Sequence, residues 1–216
     1  MLTLSRTKQP SVIRYSASNR EVWDTFVDTS RNGTFLFRRD YMEYHRKRFQ
    51  DFSLIITTGD QLGALFPANR DGDTVISHAG LTFGGLVLGG LVLDSRAAVE
   101  RVVAMFSAIV ELLHAEGIQN LVYKTIPTVY HQTPAQEDRY ALFRSGAQVV
   151  KRDVLTVICP MSPWQPDRNR RRSLNRAQRL TGVHVGPHRT GQAFGTCLRT
   201  AYASGTAPRQ YIRLRK

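Results

Sequence analysis

The sequence predicts an α/β protein (α+β in its segregated form) with a mixed, mostly antiparallel central sheet flanked by helices. Three observations predict it. The apolar runs FSLIITTG, LGALFPANR and TVISHAGL are separated by Gly59-Asp60 and Asp71-Gly72, which is the turn chemistry that joins antiparallel strands into a meander. From Thr74 to Gly117 an apolar strand, TVISHAGLTF, passes through the glycine-rich GGLVLGG into one long amphipathic helix. NLVYKTIP (120–127) follows at once, a strand expected to lie beside the one before the helix as a crossover unit.

Residues 11–17 (SVIRYSA) alternate apolar and polar positions and predict a first strand. Ser18 stands three before Glu21 as in a capping box, and Trp23, Phe26 and Val27 form an apolar face, so a helix is expected over about 19–30. Asn32-Gly33 makes a turn. A second helix over roughly 39–49 carries Tyr41, Met42, His45 and Phe49 among Arg38, Arg39, Arg46, Lys47 and Arg48. Pro67 marks a strand end or an irregular ladder in the meander. In the long helix, Val99, Val102, Val103, Phe106, Ile109, Val110 and Leu113 recur at the spacing of one buried stripe. Asp94 or Ser95 can cap its start and Gly117 can supply its left-handed stop.

Thr133-Pro134-Ala135-Gln136 reads as a further helix start, with Thr133 as cap and proline at the first helical position. Tyr140, Leu142 and Phe143 give that helix apolar contacts and Gly146 ends it. AQVVKRDVLTVICP (147–160) is a long strand, and Pro160, Pro163 and Pro166 place a linker after it. DRNRRRSLNRAQRLTG then predicts a short basic helix between Asp167 and Gly182. From His184 on, neither periodicity is present and acidic residues are lacking, which predicts a disordered or loosely attached tail. The expected organisation is a domain over 1–160, a linker and basic helix over 161–183, and a basic tail over 184–216.

Composition narrows the class. With 42% hydrophobic residues the chain can bury a real core. Cys159 and Cys197 form no C-x-x-C pair and no Cys/His cluster has zinc spacing, so neither a disulfide scaffold nor a structural metal is expected. The N-terminus lacks a signal-peptide run, and LTFGGLVLGGLVL is too short and too rich in glycine to span a membrane. A soluble cytoplasmic protein is expected. The net charge of +13 is unevenly spread: residues 1–150 hold 16 Lys+Arg against 15 Asp+Glu, whereas residues 151–216 hold 14 against 2. The change in composition coincides with the expected domain boundary.

The words WDTFVDTSRNGTFLF (23–37), LFPAN (65–69), SHAGLTFGGL (77–86), YKTIPTVYHQTPAQEDRYALFRSGA (123–147) and RRRSLNRAQRLTGV (170–183) resemble the FemAB-like members of the GNAT N-acyltransferase superfamily, over residues 12–183. The order strand, two helices, meander, long helix, strand, helix, strand is similar to the GNAT-like acyltransferase fold. The resemblance implies two such halves in tandem, of which this chain is similar to the first and to the helix opening the second. Beyond that helix it departs, in the way a frameshifted or truncated gene would.

The resemblance also implies chemistry. Acetyl-CoA would lie in a wedge where two central strands splay, its pyrophosphate on backbone N–H groups at the start of the long helix, which makes Gly85, Gly89, Gly90 and Leu91 the candidate cofactor-binding residues. The basic residue that usually leads such a loop is absent, Asp94 would repel a diphosphate, and the glycines equally serve tight strand packing. Candidate proton acceptors are His78 at a strand end, and His131 and Glu137 in the loop and helix start after the crossover strand. A buried, backbone-satisfied histidine and a capping network are the alternatives. Tyr123, Lys124, Tyr130 and Asp138 are candidate substrate contacts, although Lys124 could instead pair with Glu137 or Asp138. Arg171, Arg172 and Arg176 could hold a nucleotide-linked sugar, coenzyme A or, less expected, a tRNA, or form a solvated face.

The expected activity is N-acyl transfer from coenzyme A to an amine of an envelope or surface-polysaccharide precursor, without a metal. Association into a homodimer is expected if apolar sheet surface is left uncovered. The alternatives are a catalytically inactive truncated module, or a protein whose basic tail binds RNA or an acidic surface.

Overall fold

A computed structural model describes residues 9–44, 46–89, 95–154, 168–181 and 208–215. In order, the chain forms β1 (Pro10–Arg14), α1 (Arg20–Thr29), α2 (Arg39–Glu43), β2 (Gln50–Asp51), β3 (Leu54–Thr58), β4 (Gln61–Phe66), β5 (Asn69–Asp71), β6 (Thr74–Ile76), β7 (Val87–Leu88), α3 (Ser95–Ala115), β8 (Asn120–Lys124), α4 (Glu137–Arg144), β9 (Gln148–Val154), α5 (Arg168–Thr181) and β10 (Pro208–Arg215). Among the described residues no helix is long and apolar enough to cross a membrane, and no cluster of His, Cys, Asp or Glu is arranged to hold a metal.

The strands make a mixed, mostly antiparallel array in two sheets, β1-β3-β4-β7 and β2-β5-β6-β8-β10-β9. One long hairpin serves both, because β2 leads into β3 and β4 into β5. At the joint Phe52 N–H donates to Ala68 O (2.8 Å) and Ala68 N–H to Ser53 Oγ (3.3 Å), while Pro67, with no N–H to give, interrupts the ladder. On the other side the sheets part. β6 pairs with β5 and, in parallel, with β8, so that Val75 lies opposite Leu121; residues 77–86 then leave the ladder, and β7 pairs with β4, with Val87 opposite Leu65. The gap between β7 and β8 is therefore a split in one extended sheet.

The crossover helix covers this sheet with the stripe its sequence predicts. Val102, Phe106, Ile109 and Leu113 are buried, with Met105, against Phe66, Leu121 and Tyr123. A second core gathers Trp23 and Val27 of α1 with Phe37, Met42, Ile55, Leu65, Phe83 and Val87. Gly117 and Gly146 take the left-handed conformation (φ 74° and 72°) that stops α3 and α4, as their positions predict.

Five expectations are corrected. Ser18 does not cap α1: a 3-10 turn over Ala17–Asn19 precedes the helix and the Ser18 hydroxyl faces that of Ser16. α2 ends at Glu43, since the stretch beyond it carries Arg46, Lys47 and Arg48 without an apolar face to bury. The strand expected over 74–83 stops at Ile76, where His78 turns left-handed (φ 54°) and Leu81 O accepts from Lys124 Nζ (2.6 Å). Thr133 gives no cap, because the imidazole of His131 takes the Ala135 N–H and α4 starts only at Glu137. The tail is not wholly without structure: residues 208–215 form β10, antiparallel between β8 and β9, with Ile212 opposite both Tyr123 and Val149. Both neighbours are distant in sequence, and the alternation Ile212-Arg213-Leu214-Arg215 is too short to announce the strand by itself. The linker expected at Pro160–Pro166, the cap at Asp94 and the basic stretch 184–207 lie outside the described residues.

Because β10 is an inner strand, Ile212→Pro removes a ladder donor and a buried side chain together. The expected loss is about 3 kcal/mol or more, read from the urea midpoint. An unchanged midpoint would place residues 208–215 outside the sheet.

Candidate functional site at the split of the sheet

The open edge of β7 presents backbone groups with no strand beside them, and two consecutive residues after α1 satisfy them. Arg31 N–H donates to Leu88 O (2.9 Å). The Asn32 carboxamide donates through Nδ2 to Leu86 O (2.9 Å) and accepts at Oδ1 from Leu88 N–H (2.8 Å). Asn32 is buried, 1% exposed. Gly33 makes the approach possible, since a Cβ there would collide with the Ser30 hydroxyl and the Val27 carbonyl.

From the β8 side the split is bridged by Tyr123. Its hydroxyl accepts from Leu86 N–H (2.7 Å) and donates to Asp138 Oδ2 (2.6 Å), while Asp138 Oδ1 accepts from Arg139 N–H (2.8 Å) at the start of α4. Gly85 (φ 104°) lets the backbone pass the ring, where a Cβ would stand 2.8 Å from the hydroxyl. Burial, then the adjacent Asp138 carboxylate, pushes the Tyr123 phenol well above its ordinary range, and burial raises the Asp138 carboxyl. Tyr123 therefore keeps its proton at neutral pH and holds it on Asp138. These two side chains, expected to contact substrate, bind one another and tie β7, β8 and α4 together.

Above the bridge, Arg31 joins the loop between β8 and α4. Its carbonyl accepts from Gln132 N–H (2.8 Å) and Thr133 N–H (3.3 Å), and its Nη1 donates to Pro134 O (3.0 Å) and to Glu137 Oε1 (2.8 Å). Arg31 Nε and Glu137 Oε2 are buried without a hydrogen-bond partner. His131 Nδ1 accepts from Ala135 N–H (3.3 Å), so in the neutral ring Nε2 carries the proton, and Nε2 is buried without a hydrogen-bond partner. Burial lowers its pKa from 6.5 to about 4. Through the Ala135 N–H bond, His131 holds its loop. Glu137 Oε2 is the acceptor this cluster leaves open.

A cleft of about 40 Å³ lies beside the bridge, between the ends of β4 and β7 and the first turns of α3. Arg31, Gly63, Leu88, Gly89, Arg101 and Met105 line it. A Cβ at Gly63 would collide with Met105, and one at Gly89 would stand 3.2 Å from the Phe26 ring, so glycine keeps the floor open. Arg101 supplies the basic group that the glycine-rich stretch itself lacks, from the second turn of the helix. Of the residues expected to hold a cofactor, Gly85 packs on Tyr123 and Gly89 lines the cleft, whereas Gly90 and Leu91 lie outside the described residues.

The other expected residues are dispersed. His78 is buried in a separate cleft with Arg39, Met42, Glu43, Phe49 and Asp51. Lys124 Nζ donates to Leu81 O, while the Glu137 and Asp138 carboxylates bind Arg31 and Tyr123. Tyr130 stacks on Phe83 (4.8 Å between ring centres). Arg171, Arg172 and Arg176 are exposed on α5. Arg31, Asn32 and Arg101 carry no motif: only Asn32-Gly33 is visible, and it reads as an ordinary turn.

No protein-family model matches the chain, and no curated protein matches it. Among solved structures it is similar to the ribosomal-protein-S18-alanine N-acetyltransferase from Escherichia coli (9% identity, TM-score 0.48, covering 95% of this chain and 93% of that one). It is also similar to a putative acetyltransferase from Sphaerobacter thermophilus DSM 20745 (8%, TM-score 0.49, 100% of both chains) and to an IAA acetyltransferase from Bacillus cereus ATCC 14579 (7%, TM-score 0.48, 96% and 99%).

The lowered pKa of His131 makes a pH prediction. Between 4 and 6.5 the unfolded chain binds the proton that the folded chain excludes, so stability rises with pH across that window. The contribution is complete above 6.5 and lost as pH falls to 4, about 3 kcal/mol in all. Asp138, whose carboxyl is raised, acts in the opposite sense, so the measurement is the difference between wild type and His131→Asn. Denaturation from pH 4 to 7 should show a flatter profile for the variant; parallel profiles would mean that His131 titrates normally.

Proposed function

We propose that the chain is an acyltransferase of the GNAT type, moving an acyl group from a coenzyme A thioester to an amine of an envelope or surface-polysaccharide precursor. The observation that carries this reading is the split between β7 and β8, flanked at one end by the glycine-floored cleft with Arg31 and Arg101 and at the other by Glu137. The similarity of its sequence words to FemAB-like proteins supports the same reading.

The residues fit the donor in part. Arg101 has no ion-pair partner among the described residues and can take a phosphate, whereas Arg31 beside it is already paired with Glu137 and Gly89 N–H with Gly63 O. The amide arm of the donor meets a β7 edge already satisfied by Arg31 and Asn32. When bound, the thioester supplies the acyl carbon, and transfer forms the carbon–nitrogen bond as the carbon–sulfur bond breaks. Within the chain, Glu137 Oε2 takes the amine's proton as the sulfur departs as the thiolate of coenzyme A, and Arg31 holds Glu137 in place through Oε1. His131 positions the loop that carries them. A second reading, a binding module without transfer, is favoured by the Asn32 contacts on β7.

Acetyl-CoA titrated into the purified chain should raise its melting midpoint, by the equivalent of about 2.7 kcal/mol at a hundredfold excess over Kd. Arg101→Glu should abolish most of that gain without lowering the midpoint of the ligand-free protein. No shift at millimolar acetyl-CoA would rule out the acyltransferase reading.

A further inference from the structure

Residues 35–48 carry a surface that the site at the split does not use. Phe35, Tyr41 and Tyr44 are exposed (60%, 41% and 83%), whereas Leu36, Phe37, Arg39 and Met42 between them are buried. Phe37 packs edge-on against Phe83 (5.9 Å between ring centres) and its carbonyl accepts from Trp23 Nε1 (2.8 Å), so the backbone beneath the exposed rings is anchored in the second core. The rings also keep together. Phe35 meets Tyr41 edge to face (5.4 Å), and Tyr44 stands three residues beyond Tyr41, where the end of α2 places it on the same side. Aromatic side chains held out in water by a fixed base gain nothing for the isolated fold and mark an interaction surface.

The charge beside them selects the partner. Arg46, Lys47 and Arg48 follow directly, all exposed, and none of them forms an ion pair among the described residues. The acidic neighbours are already engaged: Asp28 binds Arg38, Asp40 binds Arg20, and Glu43 binds Arg20 and Arg39. An isologous contact with a second copy of this chain would set the three cations against one another. A single nucleic-acid strand needs a groove with stacking platforms, yet the cavity that Arg46 and Phe49 line is only about 20 Å³, and the Phe35 and Tyr41 rings are turned on each other. A flat boundary between an apolar layer and a layer of anions suits all six side chains. There a tyrosine keeps its ring among apolar chains and its hydroxyl among headgroups, while arginine and lysine reach phosphates on flexible stems.

We propose that residues 35–48 form a membrane-docking surface: Phe35, Tyr41 and Tyr44 enter the interface of an anionic bilayer, and Arg46, Lys47 and Arg48 bind its headgroup phosphates. The proposal goes beyond the acyltransferase reading and does not depend on it. The element lies on the bilayer without spanning it, held by aromatic burial and by attraction to anionic lipid together. Docking therefore weakens as salt shortens the screening length from about 8 Å at physiological ionic strength to about 3 Å in molar salt.

The test is sedimentation of the purified chain with vesicles of phosphatidylcholine alone and of phosphatidylcholine mixed with phosphatidylglycerol. Association with the mixed vesicles should be tighter by on the order of a hundredfold, each of the three cations contributing about fivefold. Phe35→Ser combined with Tyr44→Ser should lower that association at least about tenfold, with an unchanged urea midpoint because both side chains are exposed. Replacing Arg46, Lys47 and Arg48 by serine should remove most of the preference for anionic lipid. Tyr44→Trp adds a reporter whose emission should move to the blue on mixed vesicles only. Equal association with both kinds of vesicle, or with neither, would overturn the proposal. So would association that survives the Phe35 and Tyr44 substitutions, which would assign it to another basic element such as α5, and so would a Tyr44→Trp emission that mixed vesicles leave unmoved. Loss of sedimentation with single-stranded RNA instead of with vesicles, in the Phe35 and Tyr44 variant, would contradict the membrane and favour a nucleic acid.

Discussion

The carboxamide of Asn32 closes the open edge of β7, and the architecture on both sides of the split depends on that closure. A buried backbone donor or acceptor without a partner costs about 1–3 kcal/mol. Leu86 O, Leu88 N–H and Leu88 O all face the split, so leaving them bare would cost a large part of the 5–15 kcal/mol that typically separates folded from unfolded chains. Something polar must fill this edge. In this chain Asn32 and the Arg31 amide do so, at the end of a helix whose exit is shaped by Gly33.

The opposite wall of the split is held by a chain of contacts running to the C-terminus. Leu86 N–H rests on the Tyr123 hydroxyl, Tyr123 rests on Asp138, and β8, which carries Tyr123, is paired on its far side by β10. Without β10 both β8 and β9 would present unpaired edges. Residues at the two ends of the sequence therefore set one gap: the turn after α1 from one wall and the final strand from the other. Arg31 then spans it, with β7 on its amide and Glu137 on its guanidinium.

What was legible in the sequence is what local physics controls. The stripe Val102, Phe106, Ile109 and Leu113 announces α3, and Gly59, Gly117 and Gly146 announce turns and stops, because periodicity and left-handed backbone are properties of neighbouring residues. Caps were less legible, since a side chain far enough along can take the same amide: His131 takes the Ala135 N–H that a Thr133 cap was expected to organise. The site was legible only as a neighbourhood. Glu137 and Asp138 stand beside each other in sequence, yet one faces Arg31 across the split and the other is sealed under Tyr123. Asn32, which looks like half of an Asn-Gly turn, acquires its role from a strand more than fifty residues away. Strand β10 is hidden for the same reason, its partners being distant in sequence.

The claim on which this structure turns is that the Asn32 side chain, and not a strand or a solvent molecule, satisfies the β7 edge. It is tested most directly by NMR, through the scalar coupling transmitted across a hydrogen bond from Asn32 Nδ2 to the carbonyl carbon of Leu86. The expected result is a resolved cross-peak, with carboxamide protons that exchange slowly and a Leu88 amide that loses protection in Asn32→Ala. Carboxamide protons at the shifts and exchange rates of a freely solvated asparagine, with no coupling to Leu86, would contradict it.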